Sequence, residues 1–260
     1  GHYVKDDPTT PENEAWTTAA SPWVIFCGRA KNCGETNTAR QLFSDLFENF
    51  SERFPPTVDD PEATARAYLT QDRRFDLSAI KDHWQQGTLQ LVDGNYTPTV
   101  RFPLWDKHYW ERVIDRKAIP LMPKHIKGKS HFSGGIKYSG KCWTPPNLTI
   151  EKNDQVMIVE GIFHAIALTM AGEKAVAAFS CNNLPTKLIE ENKGKNITWC
   201  LAYDTDVAGI KAAKKFRDQL KAQGEKVSIR LAPNKKIDWD DCLRSGEYEK
   251  EKFWLDCEHR

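Results

Sequence analysis

The sequence predicts an α/β protein, α+β overall. A Rossmann-like, mostly parallel sheet lies toward the carboxyl end, with a smaller mixed α/β subdomain carrying basic charge before it. Three observations predict this. Strand-like apolar runs alternate with helical stretches from about residue 151 onward, which is the pattern of a helix-covered parallel sheet. Polar, proline-containing stretches separate this block from what precedes it. And 260 residues with 40% hydrophobic content suffice to bury such cores.

The first block, 1–54, opens on Asp7-Pro8-Thr9-Thr10-Pro11 and reaches a strand at Trp23-Val24-Ile25-Phe26, leading into Cys27. After Cys33-Gly34, Leu42, Phe43, Leu46, Phe47 and Phe50 recur at three-to-four spacing and predict a helix with one wet face. Phe54 to Pro61 reads as a linker. The second block, 62–147, begins with a helix from Glu62 to Leu69 and a second from Leu77 to Gln86, stopped by Gly87. A strand follows from Thr99 to Leu104, and Gly, Ser and Lys predict loops from Lys127 to Lys141.

The third block, 151–245, holds strands at Gln155–Val159, Ala175–Phe179, Ile197–Tyr203 and Val227–Leu231. Helices are predicted after Gly161 and from Val207 to Gln223. The second has an apolar face of Val207, Ile210, Ala213, Phe216 and Leu220 and a stop at Gly224. Residues 246–260 are a final helix or the start of a further domain.

The net charge of +1 conceals a segregated distribution. Residues 1–100 sum to −6, residues 101–141 to +7 and residues 142–260 to 0. The basic segment, with Trp105, Tyr109 and Trp110 among its cations, is either a solvated face or a footprint for a polyanion. The seven cysteines are odd in number and scattered, which argues for reduced thiols. No run approaches the roughly 18 apolar residues of a membrane span, and the start lacks a signal pattern. A cytoplasmic protein without a membrane partner is expected.

Ligands of open α/β sheets bind beyond the carboxyl ends of the strands. Glu160 lies at the end of the first strand, Asp204 and Asp206 past the third, and Asp238, Asp240 and Asp241 past the fourth. Alternation along an extended segment lets Asp204 and Asp206 face one site. Clustered carboxylates call for a cation, and hard oxygen ligands suit Mg²⁺ or Mn²⁺. Asp206 also stands where a helix N-cap is expected, and that reading remains open.

Three motifs carry a resemblance: Val159-Glu160-Gly161-Ile162-Phe163-His164-Ala165, Tyr203-Asp204-Thr205-Asp206-Val207-Ala208-Gly209 and Ile237-Asp238-Trp239-Asp240-Asp241. In order and spacing they resemble the TOPRIM domain of DnaG-type primases, topoisomerases and some nucleases, over about residues 151–245. One position departs from the family pattern, with His164 where an acid is expected. His164 is a packed or hydrogen-bonded helix residue, or a replacement that weakens a metal site.

Ala67-Tyr68-Leu69, Arg73, Trp84-Gln85-Gln86-Gly87 and Arg101-Phe102-Pro103-Leu104-Trp105-Asp106 resemble the polymerase core of DnaG-type primases of bacteria, phages and plasmids. Cys27 and Cys33 are similar to part of a primase zinc ribbon, which would make block 1–54 a partial ribbon. In that case they bind Zn²⁺, with His2 as a further ligand; otherwise they are ordinary thiols.

The resemblance implies a DNA primase, a metal-dependent nucleotidyltransferase that makes short RNA primers on single-stranded DNA. Glu160, Asp204 and Asp206, supported by Asp238, would hold two Mg²⁺ (or Mn²⁺) ions as catalytic and metal-binding residues. Arg101, Arg116 and Lys124 would contact phosphates of the template and of nucleoside triphosphates. Lys211 and Lys214 would assist, or be solvated helix lysines. A replicative helicase is a further expected partner. The alternatives are a TOPRIM nuclease using the same acids and a non-catalytic single-strand-binding protein.

Overall fold

The computed structural model describes residues 2–4, 14–17, 24–27, 36–81, 83–126, 128–232 and 238–245. Four short strands open the chain: β1 (His2–Val4), β2 (Glu14–Trp16), β3 (Val24–Cys27) and β4 (Thr36–Thr38). They form an antiparallel sheet in that order. The zinc expectation at Cys27 and Cys33 falls on side chains outside the described residues, as does the whole of 246–260.

The amphipathic helix expected after Cys33 is instead broken into α1 (Ala39–Leu42), a 3₁₀ turn (Ser44–Phe47) and α2 (Phe50–Arg53). Asn49 takes a left-handed conformation at the second break (φ 52°), where it can tolerate φ above zero better than most residues. Only Phe47 and Phe50 of the apolar set reach the core, while Leu42, Phe43 and Leu46 stay exposed.

Helix α3 (Ala63–Ala67) runs into a π-helical turn, Tyr68–Asp72, closed by Arg73 N donating to Tyr68 O at 3.1 Å. The helix expected from Leu77 to Gln86 stops after one 3₁₀ turn (Leu77–Ile80). Lys81 turns left-handed, and Gln85 and Gln86 belong instead to strand β5 (Gln85–Gln90). Gly87 therefore has a role other than stopping a helix. A Cβ on it would lie 2.2 Å from Arg101 Nε, so its bare backbone lets that guanidinium lie across the strand.

Strands β5, β6 (Tyr96–Pro103), β7 (Tyr109–Val113) and β8 (Ser130–Phe132) form a second antiparallel sheet in chain order. The third sheet is built from β9 (Gln155–Val159), α4 (Ile162–Met170), β10 (Ala175–Ala177), α5 (Thr186–Glu191), β11 (Thr198–Leu201), α6 (Val207–Ala222) and β12 (Lys226–Ile229). Its strand order is β10-β9-β11-β12 and every pairing is parallel. Helix α7 (Trp239–Ser245) closes the described chain.

Both faces of this sheet are buried, which is why β9 reads as an uninterrupted apolar run. Val156 and Ile158 point into a core shared with Phe216 and Leu220 of α6. Met157 and Val159 point into the opposite core, with Phe163 and Ile166 of α4 and Trp239 of α7. That second core is continuous with Phe50, Tyr68, Phe75 and Phe102 from the preceding block. Phe163 is its hub, with ring centroids 5.4 to 6.2 Å from Tyr68, Phe75, Phe102 and Trp110. Val207, expected on the apolar face of α6, is 85% exposed because the helix's first turn projects past the sheet edge.

Candidate active-site cleft

The carboxyl edge of the parallel sheet brings the acids together. Glu160 ends β9, and one of its oxygens, Oε1, accepts a bond from Asp204 N at 3.2 Å, so the ends of two adjacent strands are tied through a functional carboxylate. Asp204 follows β11, and its position depends on Gly209. A Cβ at Gly209 would sit 2.2 Å from the Asp204 carbonyl oxygen, so no larger residue lets α6 approach this closely.

Asp206 behaves differently. It is the N-cap of α6, exposed, with Oδ1 accepting from Gly209 N at 2.7 Å. Asp238 is delivered by α7. Its Oδ1 accepts from Asp241 N at 2.7 Å, capping that helix, while Trp239 Nε1 donates 2.8 Å to the Ala202 carbonyl beneath it.

His164, in the first turn of α4, stands between two of these acids. Its Nδ1 is 3.4 Å from Asp204 Oδ1 and its Nε2 is 3.3 Å from Asp238 Oδ2. Burial works against the charged imidazolium, but the bond and charge of Asp238, then the charges of Asp204 and Asp240, push its pKa up to about 8. The imidazolium is therefore an internal counterion. Burial also opposes ionisation of Asp238, yet His164 and the Asp241 N–H hold that carboxyl well below the usual range. Asp204 is raised by burial and by Asp238 and Asp206, with His164 opposing. Glu160 is raised by burial and by Asp204.

A cation wall faces this edge across a cleft of about 500 Å³. Arg73, Arg112, Arg116 and Lys129 line it together with Glu160, Asp204 and Asp238, while Arg244 lines it from α7, paired with Asp240 and Asp241, and the rings of Trp110, Phe163 and Phe179 complete the lining. Arg73 is anchored: Nη1 donates to Asp240 at 2.5 Å, while Nε and Nη2 donate to Tyr68 Oη at 3.1 and 3.0 Å. This network joins the π-helical turn to α7 and so holds the Asp238-bearing helix against the basic subdomain.

Arg112, Arg116 and Lys129 form no ion pair among the described residues, and Arg112 Nε is buried there without a hydrogen-bond partner. The guanidinium of Arg112, followed by partial burial and Arg73, holds Lys129 below the ordinary lysine value. Arg112 itself is lowered by burial and by Arg73, against the opposing charge and hydrogen bond of Tyr68. Cations crowded to this degree without carboxylate partners among the described residues favour an anionic ligand.

Of the residues expected from sequence, Glu160, Asp204, Asp238 and Arg116 meet in this cleft, and Asp206 sits at its α6 end without lining it. Arg101, Lys124, Lys211 and Lys214 lie outside the lining. Arg101 is held structurally: Nε bonds Glu111 Oε2 at 2.8 Å, Nη2 bonds the Thr88 carbonyl at 2.9 Å, and the guanidinium stacks 4.4 Å from the Tyr109 ring. Sequence reasoning missed Arg112, Lys129 and Arg244. The i,i+4 spacing of Asp240 and Arg244 was a readable signal for the last of these.

The cleft's donors fit a hard divalent cation in kind, since they are carboxylates, with Asp204 Oδ1 facing only His164 Nδ1, at 3.4 Å, among the described side chains. Among the described residues no three His, Cys, Asp or Glu side chains converge on one point. Mg²⁺ does not require such a cluster, because one or two carboxylates commonly hold it when water and substrate phosphates complete its shell.

Residues 157–243 match the Toprim-like family. A DNA primase of Geobacillus stearothermophilus is 28% identical over 272 residues, an alignment covering 96% of this chain and 42% of that protein. The chain thus spans less than half the length of this curated relative. A solved structure of the DnaG primase catalytic domain bound to ssDNA superposes with a TM-score of 0.52 at 16% identity, over 79% of this chain and 75% of that one. The Aquifex aeolicus primase (zinc-binding and RNA polymerase domains) gives a TM-score of 0.47 at 16% identity, over 95% and 76% of the two chains. No helix among the described residues is long and apolar enough to cross a membrane. The chain therefore carries a Toprim-like domain within a fold shared with the catalytic domain of DnaG-type primases.

Proposed function

We propose that this chain is the catalytic region of a DNA primase, joining ribonucleotides into short primers on a single-stranded DNA template. The observation that carries this reading is the cleft itself, in which Glu160, Asp204 and Asp238 face Arg73, Arg112, Arg116 and Lys129. Phosphoryl transfer to a hydroxyl needs both halves: an acidic edge for cations and a basic wall for the polyphosphate. The 28% identical DNA primase and the fold shared with an ssDNA-bound primase domain support the same reading.

Arg112, Arg116 and Lys129 would hold the triphosphate, and Arg73, fixed by Asp240 and Tyr68, would keep that wall at a set distance from the acids. Glu160 and Asp204 would hold divalent cation, with Asp206 and Asp238 in support. When bound, the cation lowers the charge on the triphosphate and helps the attacking 3′-hydroxyl to ionise. His164 would keep Asp238 and Asp204 at fixed spacing through its two ring nitrogens.

The test is incorporation of labelled ribonucleotides on single-stranded DNA with Mg²⁺ or Mn²⁺. Asp204→Ala and Glu160→Ala should each abolish it, and full activity in both would overturn the assignment. A second reading, a single-strand-binding protein without turnover, is favoured by one observation, the imidazole of His164 between Asp204 and Asp238. It requires salt-sensitive binding of single strands with no incorporation under any divalent metal. Plasmid nicking without incorporation would instead indicate a nuclease.

A further inference from the structure

We infer that Phe179 is a nucleobase-stacking platform beside the carboxylate edge, an inference that rests on the primase reading and deepens it. Strand β10 pairs with β9 so that Ala177 lies opposite Val159, and Ala178 N donates to the Val159 carbonyl at 2.7 Å. Phe179 therefore leaves the sheet one strand over from Glu160 and Gly161, and it lines the same cleft. The order across the sheet edge is ring, then Glu160, then Asp204.

The backbone at Phe179 is left-handed, with φ at 69°. A bulky L-residue adopts that conformation at a cost and keeps it only where its surroundings over-determine it. The surroundings are aromatic. Phe132, Tyr138 and Trp105 contact the ring at 5.2, 5.7 and 6.0 Å, at steep interplanar angles. Lys141 Nζ sits 4.4 Å from the Trp105 ring in the same cluster.

Phe179 also packs partly against the core, but the other rings of the cleft are engaged by cations or by each other. Phe163 carries the guanidinium groups of Arg73 and Arg112 at 5.0 and 4.9 Å, and Trp110 packs on Phe102 and Phe163. Phe179 has no cation over it among the described residues. An aromatic residue is superfluous for phosphate binding, but it matches the part of a nucleotide that phosphate-binding residues leave unheld. Every base has a π-face, so stacking tolerates any sequence.

The test compares wild type with Phe179→Gly and Phe179→Trp. Glycine removes the ring, and relief of the left-handed backbone offsets part of the packing lost from Phe132, Tyr138 and Trp105, so binding is compared at a temperature where both variants are folded by circular dichroism. Binding is measured with Mg²⁺ for the four nucleoside triphosphates, for inorganic tripolyphosphate, and for single-stranded oligonucleotides with and without an abasic site. KM and kcat for incorporation are measured in parallel.

Phe179→Gly should weaken base-bearing ligands by roughly 5- to 100-fold. Tripolyphosphate should bind unchanged, KM should rise with kcat retained, and Phe179→Trp should restore binding. Loss confined to the triphosphates assigns the stacked base to the incoming nucleotide; loss confined to the intact oligonucleotide assigns it to the template. Unchanged base-dependent binding and KM, in a protein that still makes primers, overturns the platform and leaves the primase reading standing. Base-dependent binding that falls in Phe179→Gly, in a wild-type protein that never incorporates nucleotides, does the reverse.

Discussion

The parallel and antiparallel sheets contribute opposite charges to one cleft and place them by different means. In the parallel sheet, β9 and β11 are buried on both faces and end beside one another, so Glu160 and Asp204 are positioned by their own strands. In the antiparallel region the cations sit on β7 (Arg112), on the 3₁₀ turn after it (Arg116) and just before β8 (Lys129). They converge because a shared core around Phe163, together with the Arg73–Asp240 pair, clamps one part of the molecule onto the other. A charge at the end of a buried strand is placed locally, whereas a charge on a sheet face or loop is placed by whatever that surface packs against.

The largest effect should come from the acids. Asp204→Asn should lower incorporation on the order of 100-fold or more with the melting temperature preserved, since it removes charge that acts on the transition state. A matched Arg112→Met change should mainly raise KM for nucleotides. Equal kcat losses in both would erase the distinction between the two walls.

The clamp comes next. Phe163→Ala should cost about 3–5 kcal/mol in urea unfolding, the range for a buried aromatic hub. A cost below about 1 kcal/mol would show that the walls are held together by something else.

Asp206 separates capping from metal binding. Asp206→Ala should cost about 1 kcal/mol, while Asp206→Asn, which keeps a capping oxygen, should stay within a few tenths of wild type. If Asp206→Asn abolishes incorporation as fully as Asp204→Asn, then Asp206 acts in the chemistry as well as at the helix.

The smallest effect concerns Glu111, under the basic sheet. Burial opposes its ionisation, but bonds from His131, Arg101 and Thr99 hold it below the ordinary carboxylate value. Its contribution is therefore present above that ordinary value and is lost as pH falls through the lowered one. Wild-type stability should decline below about pH 4, and Glu111→Gln should flatten that decline while lowering stability at neutral pH.

Legibility from sequence follows the same division. Gln155-Val156-Met157-Ile158-Val159 could be read as a buried strand with Glu160 at its end, and the structure has β9 over those five residues. The Leu77–Gln86 helix failed because Gln86 and Gly87 answer to partners far along the chain. Gln86 Oε1 accepts from Ala65 N, and Gly87 makes room for Arg101. Arg101 and Lys124 were readable as cations in a basic segment, but not as cations outside the cleft. The difference for Arg101 lies in Glu111 and Thr88, neighbours brought to it by strand pairing.

By itself the sequence determined the parallel sheet, the edge at which its acids gather and the segregation of positive charge, because periodicity, strand ends and composition are local properties. Tertiary structure alone decided that His164 bridges Asp204 and Asp238, that Arg112 and Lys129 face the acids and that Phe179 is bent into their cleft. Each of these depends on distances between residues remote in the chain, which packing around Phe163 and the close approach at Gly209 set.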